Sequence, residues 1–321
     1  MCTRILWNQN TPYVVARTMD WPDTTMPMLT VMPRGIQRDG AVVAGEVVTG
    51  NGAKWTSQYG SVVTTIYGIG AADGINEKGL GAHLLYLEDS DFGERDLRKP
   101  AVGAHLWVQY LLDCAATVAE AVDLLAAVQI VIVEAHGYKA NTHLAVEDAT
   151  GDSAIVEFLN GEMRIHRDRR YTVLTNEPPY LEQLALLEQQ DFSSPSDSSP
   201  LPGNVNPAAR FQRAAYFTQI LPHPTDGRSA VAGVMAIARN VSIPFGAPYE
   251  GFGLYNTEYR TVADLTNLRY FFELTTAPSL IWVDLQKINF DVNAPSRTLE
   301  PDDIELAGEV SEQMLEADAP F

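Results

Sequence analysis

Short apolar and β-branched runs broken by Gly, Pro, Asn and Asp dominate residues 2–87. Residues 2–7 and 13–19 read as strands, rich in Val, Ile, Tyr and Trp, with Asn8-Gln9-Asn10-Thr11 as turn chemistry and Pro12 tolerated where the second strand begins. Runs 28–32, 41–48, 61–67 and 81–87 are also of strand type, and Asp73–Leu80 is a turn-rich stretch between the last two. At about 101–128 the period becomes helical. Leu106, Val108, Tyr110, Leu111, Leu112 and Cys114 form one set, and Thr117 with Glu120 has capping-box spacing ahead of Val118, Ala121, Val122 and Leu125. Strands return at 143–147, 153–158, 162–166 and 171–175, with Asn160-Gly161 as a two-residue hairpin.

A helix near 180–190 leads to a polar loop over 193–203. Asn206-Pro207 then opens one helix and Asp226 caps another through about 240. Segments 259–265, 268–275 and 280–285 are closing strands, followed by an acidic tail over about 298–321. Strands alternate with pairs of helices, without repeat or linker. The pattern predicts one α+β domain over 1–321, with two sheets sandwiched by helical layers.

With 321 residues, 46% apolar and 20% charged, the chain has the composition of a globular protein with a full core. Its 22 Lys+Arg against 41 Asp+Glu give a net charge of −19, which argues against a nucleic-acid or anionic-membrane partner. Two cysteines make no disulfide framework, and Cys114 falls on the apolar face of a helix. Neither a signal peptide nor a transmembrane run is visible. The compartment stays open: cytoplasmic if this N-terminus is native, periplasmic if a leader was trimmed.

Cys2 directly follows Met1. Removal of Met1 would leave one residue carrying both a thiol and a free α-amine, the latter titrating near about 8 and so able to serve as the base that generates the thiolate. Centring the first turn on residues 9 and 10 places Arg17 opposite Cys2, with Asp20 just past the strand end. That supplies a cation for the thiol and a carboxylate for the ammonium. On its own, a Cys at position 2 also reads as a small buried residue or a loose terminus. Asn176, between the strand at 171–175 and Glu177-Pro178, reads either as a fixed donor for an oxyanion or as turn punctuation. The six histidines, at 83, 105, 136, 143, 166 and 223, have no metal-ligand spacing, so neither metal nor cofactor is expected.

Five blocks carry a resemblance: Met1-Cys-Thr-Arg4, Arg17-Thr-Met-Asp20, Asp73-Gly-Ile-Asn-Glu-Lys-Gly-Leu80, Val173-Leu-Thr-Asn-Glu-Pro178 and Leu201-Pro-Gly-Asn-Val-Asn-Pro-Ala-Ala-Arg-Phe211. In this order they resemble the choloylglycine hydrolase family, which contains penicillin V acylases and conjugated bile salt hydrolases. The resemblance implies a four-layer αββα N-terminal nucleophile hydrolase that cleaves a non-peptide amide through a thioester on Cys2. It also implies roles for Arg17 beside the thiol, Asp20 holding the amine, Asn176 in the oxyanion hole and Arg210 completing the charge network.

Tyr86 matches a second pocket residue, Tyr in penicillin V acylases and Asn in bile salt hydrolases. Met19-Asp20-Trp21 looks like the Gram-negative branch, some members of which cleave N-acyl homoserine lactones. The interval from Asn176 to Arg210 is shorter than in tetrameric Gram-positive members, so their tetramer-locking insertion is expected to be absent and homo-oligomerisation is left open. Asn204-Val-Asn-Pro207 also replaces the Asp and serines of many members.

The expected partner is a small acyl amide, with Met19, Trp21, Trp55, Tyr59 and Tyr86 as candidate walls of an apolar acyl pocket; scattered aromatics equally read as plain core. Phenoxymethylpenicillin and acyl homoserine lactones rank above bile salts. Rival readings are an unprocessed or non-catalytic acyl-amide binder and an acidic structural binding protein.

Overall fold

The computed structural model describes residues 1–135, 137–249, 253–277 and 279–321. In chain order its main elements begin with β1 (Cys2–Trp7), β2 (Val14–Trp21), β3 (Met28–Met32), β4 (Ser61–Ile66), β5 (Gly70–Asn76) and β6 (Gly81–Tyr86). Helices α1 (Trp107–Cys114) and α2 (Val118–Ala126) precede β7 (Thr142–Glu147), β8 (Ser153–Leu159), β9 (Glu162–Arg167) and β10 (Val173–Leu174). Three helices follow, α3 (Tyr180–Glu188), α4 (Pro207–Ile220) and α5 (Gly227–Asn240). The chain closes with β11 (Gly253–Asp264), β12 (Arg269–Leu274), β13 (Ile281–Asp284), β14 (Ser296–Leu299), β15 (Gly308–Glu309) and β16 (Leu315–Ala317).

These strands form two large sheets. The first has the order β10-β1-β2-β11-β12-β13-β15, with the short strand Ala247–Tyr249 paired to β11. The second runs β9-β8-β7-β6-β5-β4-β3-β14-β16. Helices α4 and α5 cover the outer face of the first sheet, and α1 and α2 cover that of the second. The layers are therefore helices, sheet, sheet, helices, as expected.

Local chemistry explains the element ends. Asn206 caps α4 through its side chain to the Ala209 N–H at 2.8 Å, with Pro207 at the first helical position, and Asp226 forms a reciprocal cap with Ser229 at the start of α5. Each such cap contributes about 1 kcal/mol. Asn160 and Gly161 both have positive φ, as a tight hairpin between β8 and β9 requires.

Some expectations change. Residues 41–48 form not one strand but two short arms, Val42–Val43 and Glu46–Val47, because Ala44 and Gly45 both turn through positive φ. Asp73–Asn76 belongs to β5, leaving only the residues up to Gly79 as the turn. Ala101–Gly103 is a strand paired to Gln129–Val131, and a 3₁₀ turn precedes α1. The segment expected as a tail supplies strands to both sheets: β14 pairs with β3 and with β16, and β15 pairs with β13. Phe321 packs against the core of the second sheet, its ring under the Arg38 guanidinium.

Candidate active site

Cys2 pairs with Met19, Thr3 with Thr18 and Arg4 with Arg17 across the β1–β2 hairpin. Arg17 is thus displaced by two residues from the expected pairing with Cys2, and β2 continues through Asp20 rather than ending before it. A two-residue slip keeps every side chain on its expected face. Cys2, Arg4, Arg17 and Met19 point between the sheets, while Thr18 and Asp20 point towards α4.

On the inner face, Arg17 Nη2 donates to Cys2 Sγ at 3.2 Å and to the Leu84 carbonyl at 3.1 Å. Arg17 Nη1 donates to Tyr259 Oη at 2.9 Å and lies 3.8 Å from Asp73 Oδ1. Burial works against the charge on Arg17, but the Cys2 thiol, Tyr259 and Asp73 outweigh it and raise its pKa, so a fixed cation stands against the sulfur.

Further groups extend this chain. His83 lies between Asp73, at 3.6 Å, and Glu147, at 2.7 Å, and Glu147 also holds Arg4. Burial disfavours each of these charges. Mutual pairing overrides it, raising His83 above its ordinary value and lowering Asp73 and Glu147 below theirs.

On the other face, Asn176 follows the end of β10. Its Oδ1 accepts from the Cys2 N–H at 2.7 Å and from Arg210 Nη2 at 2.9 Å, while its Nδ2 donates to the Tyr86 carbonyl at 2.6 Å. Arg210 projects from the first turn of α4 and donates through Nη1 to the Cys2 carbonyl at 2.8 Å, to Thr3 Oγ1, and to Asp20 Oδ2 at 3.2 Å. Thr257 Oγ1 donates to Asp20 Oδ1 at 2.6 Å. The Met1 amine donates to the Asp20 carbonyl. Burial lowers the pKa of that amine, an effect Arg210 reinforces and Cys2, Asp20 and Glu177 oppose. The four polar residues singled out from sequence beside Cys2, namely Arg17, Asp20, Asn176 and Arg210, therefore gather around it from two sides, all buried.

An apolar cavity of about 120 Å³ opens on the thiol side. Met19, Trp21 and Tyr86 line it as expected, and Trp21 and Tyr86 meet with ring centroids 5.8 Å apart. Trp55 and Tyr59 do not line it. The Trp55 indole donates to Asp113 at 2.8 Å, and the Tyr59 ring receives Lys78. Their places are taken by Ile66, Tyr67, Ile69, Leu84 and His105, which the strand patterns gave no reason to separate from core. Burial pushes His105 down to about 4, so it is neutral at physiological pH. Among the described residues no group of three or more potential metal ligands is assembled. His136 lies outside those residues.

Two sheets between helical layers, with a nucleophile-bearing residue starting the first strand, define the N-terminal nucleophile hydrolases. The sequence profile of the linear amide C-N hydrolases, choloylglycine hydrolase family, matches residues 2–297. A penicillin V acylase of Pectobacterium atrosepticum is 35% identical over 317 residues, spanning 90% of this chain and 82% of that protein. A bile salt hydrolase/transferase of Clostridium perfringens is 25% identical over 248 residues, 69% of this chain and 74% of that protein. The solved penicillin V acylase of Agrobacterium tumefaciens superimposes with a TM-score of 0.89 at 35% identity, over 100% of this chain and 98% of that one. This chain belongs to the choloylglycine hydrolase family and is an amide hydrolase.

Proposed function

We propose that Cys2, once Met1 is removed, is the nucleophile and its own α-amine the base. The thiol proton passes to the amine as the sulfur bonds to the amide carbon. Arg17 supports the thiolate from 3.2 Å. Asn176 spends one amide N–H on the Tyr86 carbonyl, which leaves the other for the developing oxyanion together with a backbone N–H. The Cys2 ammonium then protonates the leaving nitrogen as the C–N bond breaks. Water, deprotonated by the same amine, attacks the thioester and releases the acid and the thiol. Arg210 holds the Cys2 carbonyl and the Thr3 hydroxyl, and Asp20 pairs with Arg210, which keeps the new terminus in place for both proton transfers.

The cavity carries the choice of acyl group. An apolar cavity of roughly 150 Å³ takes up one benzene ring, and about 120 Å³ beside Cys2 is of that order. A phenoxyacetyl group places one aromatic ring there, and an unbranched acyl chain is its slimmer competitor. The four fused rings of a bile acid are the poorest match to that space. Phenoxymethylpenicillin is therefore the preferred substrate, as the names of the acylase relatives also support. The test is a turnover panel of penicillin V, penicillin G, long-chain N-acyl homoserine lactones and glycocholate. Penicillin V should lead and glycocholate trail; glycocholate in the lead would overturn the acyl assignment.

A further inference from the structure

The segment that leaves β2 separates two spaces. Trp21 lines the apolar cavity beside Cys2 and also a groove of about 450 Å³. Thr25 faces the cavity, while Thr24 and Met26, its neighbours in the chain, face the groove. Met26, Met28, Phe245 and Leu274 give the groove apolar surface, and Asp23, Glu300 and Asp302 disfavour an anionic occupant.

Glu258 fixes this segment. The pairing of β2 with β11 skips it, since Met19 pairs with Tyr259 and Asp20 with Thr257. A bulge of this kind re-aims a side chain, and here both carboxylate oxygens of Glu258 meet the loop. Oε1 accepts from Thr24 Oγ1 at 2.7 Å and from the Thr25 N–H at 2.9 Å, and Oε2 accepts from Thr25 Oγ1 at 2.6 Å. The Thr25 carbonyl accepts from the Tyr67 N–H at 2.8 Å, just after β4. Thr25 is thus buried and held between the two sheets.

Cys2 stands opposite Met19, and Trp21 lies two residues further along the same face of β2. A straight acyl chain that follows this face from the thioester carbon runs against Trp21. Resting on the mechanism above, we propose that the groove behind Trp21 is a distal acyl subsite and that Glu258, a positioning residue acting through the loop over 22–27, shuts it off and so sets the length of acyl chain accepted. The closed cavity suits a chain of about six carbons, the count of the benzene ring that roughly 150 Å³ takes up. A longer chain must displace Trp21 and the loop, against the bonds to Glu258, before its uncharged tail gains the apolar surface beyond.

Penicillins that differ only in a straight acyl chain, butanoyl, hexanoyl, octanoyl or decanoyl, test this beside penicillin V, with release of their common amine measured. The processed, unmutated enzyme should lose about tenfold or more in kcat/KM between hexanoyl and decanoyl. In E258A the decanoyl-to-hexanoyl ratio should rise by about tenfold, chiefly through a lower KM for decanoyl. T25V, which removes one bond to the carboxylate, should move the ratio the same way, and E258Q, which keeps one acceptor, should move it less. A general loss of packing would depress all chain lengths together and leave the ratio unchanged, which would overturn the proposal. Equal turnover of decanoyl and hexanoyl by the unmutated enzyme would also overturn it, and this needs no variant to fold. Turnover of penicillin V with every straight-chain substrate inert in all four proteins leaves the Cys2 mechanism standing and removes only the distal subsite. No hydrolysis of any substrate overturns both.

Discussion

Arg17 touches the Cys2 sulfur at 3.2 Å, although its partner across the hairpin is Arg4 and not Cys2. The contact is diagonal: Arg17 reaches one residue pair along the inner face, past Met19, and its two terminal nitrogens are also held by Leu84 and Tyr259. This threefold anchoring holds a planar guanidinium against the thiol, which a lysine cannot reproduce.

Arg17→Lys should therefore lower kcat/KM by about 10²-fold while the fold survives, since one fork-shaped donor set is replaced by a point charge. Arg17→Leu removes one of the two cations beside buried Asp73, leaving His83, and should lower stability as well. Steady-state kinetics with urea unfolding separates the two effects.

Asn176→Asp keeps an acceptor for the Cys2 N–H and for Arg210 but loses the Nδ2 donor. Turnover should fall about 10²–10³-fold with KM little changed, because the lost bond is made to the oxyanion and not to the ground state. Wild-type turnover in this variant would remove Asn176 from the oxyanion hole.

The line of charges from Arg17 through Asp73, His83 and Glu147 to Arg4 makes stability depend on pH at both ends. His83 has a raised pKa because Glu147 and Asp73 outweigh burial, so its contribution is complete below its ordinary 6.5 and is lost as pH rises through the higher folded value. Asp73 and Glu147 have lowered pKa values, so theirs is complete above their ordinary 3.8 and 4.5 and is lost as pH falls through the lower folded values. Urea midpoints across pH should show a plateau between these edges. In His83→Gln the alkaline edge attributable to this group should vanish.

Much of this site was legible because local chemistry wrote it. Asn176 and Arg210 lie beside the end of β10 and the Asn206-Pro207 helix start, whose residue types are restrictive, and the Asn8–Pro12 turn brings Arg17 and Asp20 back along the strand that begins at Cys2. The hairpin register was not legible, since β2 begins at Val14 and the turn is correspondingly longer than a two-residue count allows. Trp55 and Tyr59 were placed in the acyl pocket on aromatic character alone, and sequence cannot say that Asp113 and Lys78 claim them instead. The true walls Ile66, Ile69 and His105 arrive from the end of β4, the turn after it and the 3₁₀ turn before α1 through non-local packing. The same limit hid β14, β15 and β16, whose partners lie far away in the chain.

Ile66→Trp places added bulk in the thiol-side cavity. Its kcat/KM for a phenoxyacetyl amide should fall about 10-fold or more relative to an acetyl amide, in line with the sensitivity of apolar pockets to small volume changes. An unchanged ratio would move the acyl group elsewhere.

The sharpest test is intact-mass and peptide analysis of the purified enzyme before and during turnover of penicillin V. The expected result is a chain that begins at Cys2 and carries a transient phenoxyacetyl thioester on that residue, with both turnover and adduct absent in Cys2→Ala. Full turnover by a chain that retains Met1, or by Cys2→Ala, would contradict the assignment of Cys2 as nucleophile and base.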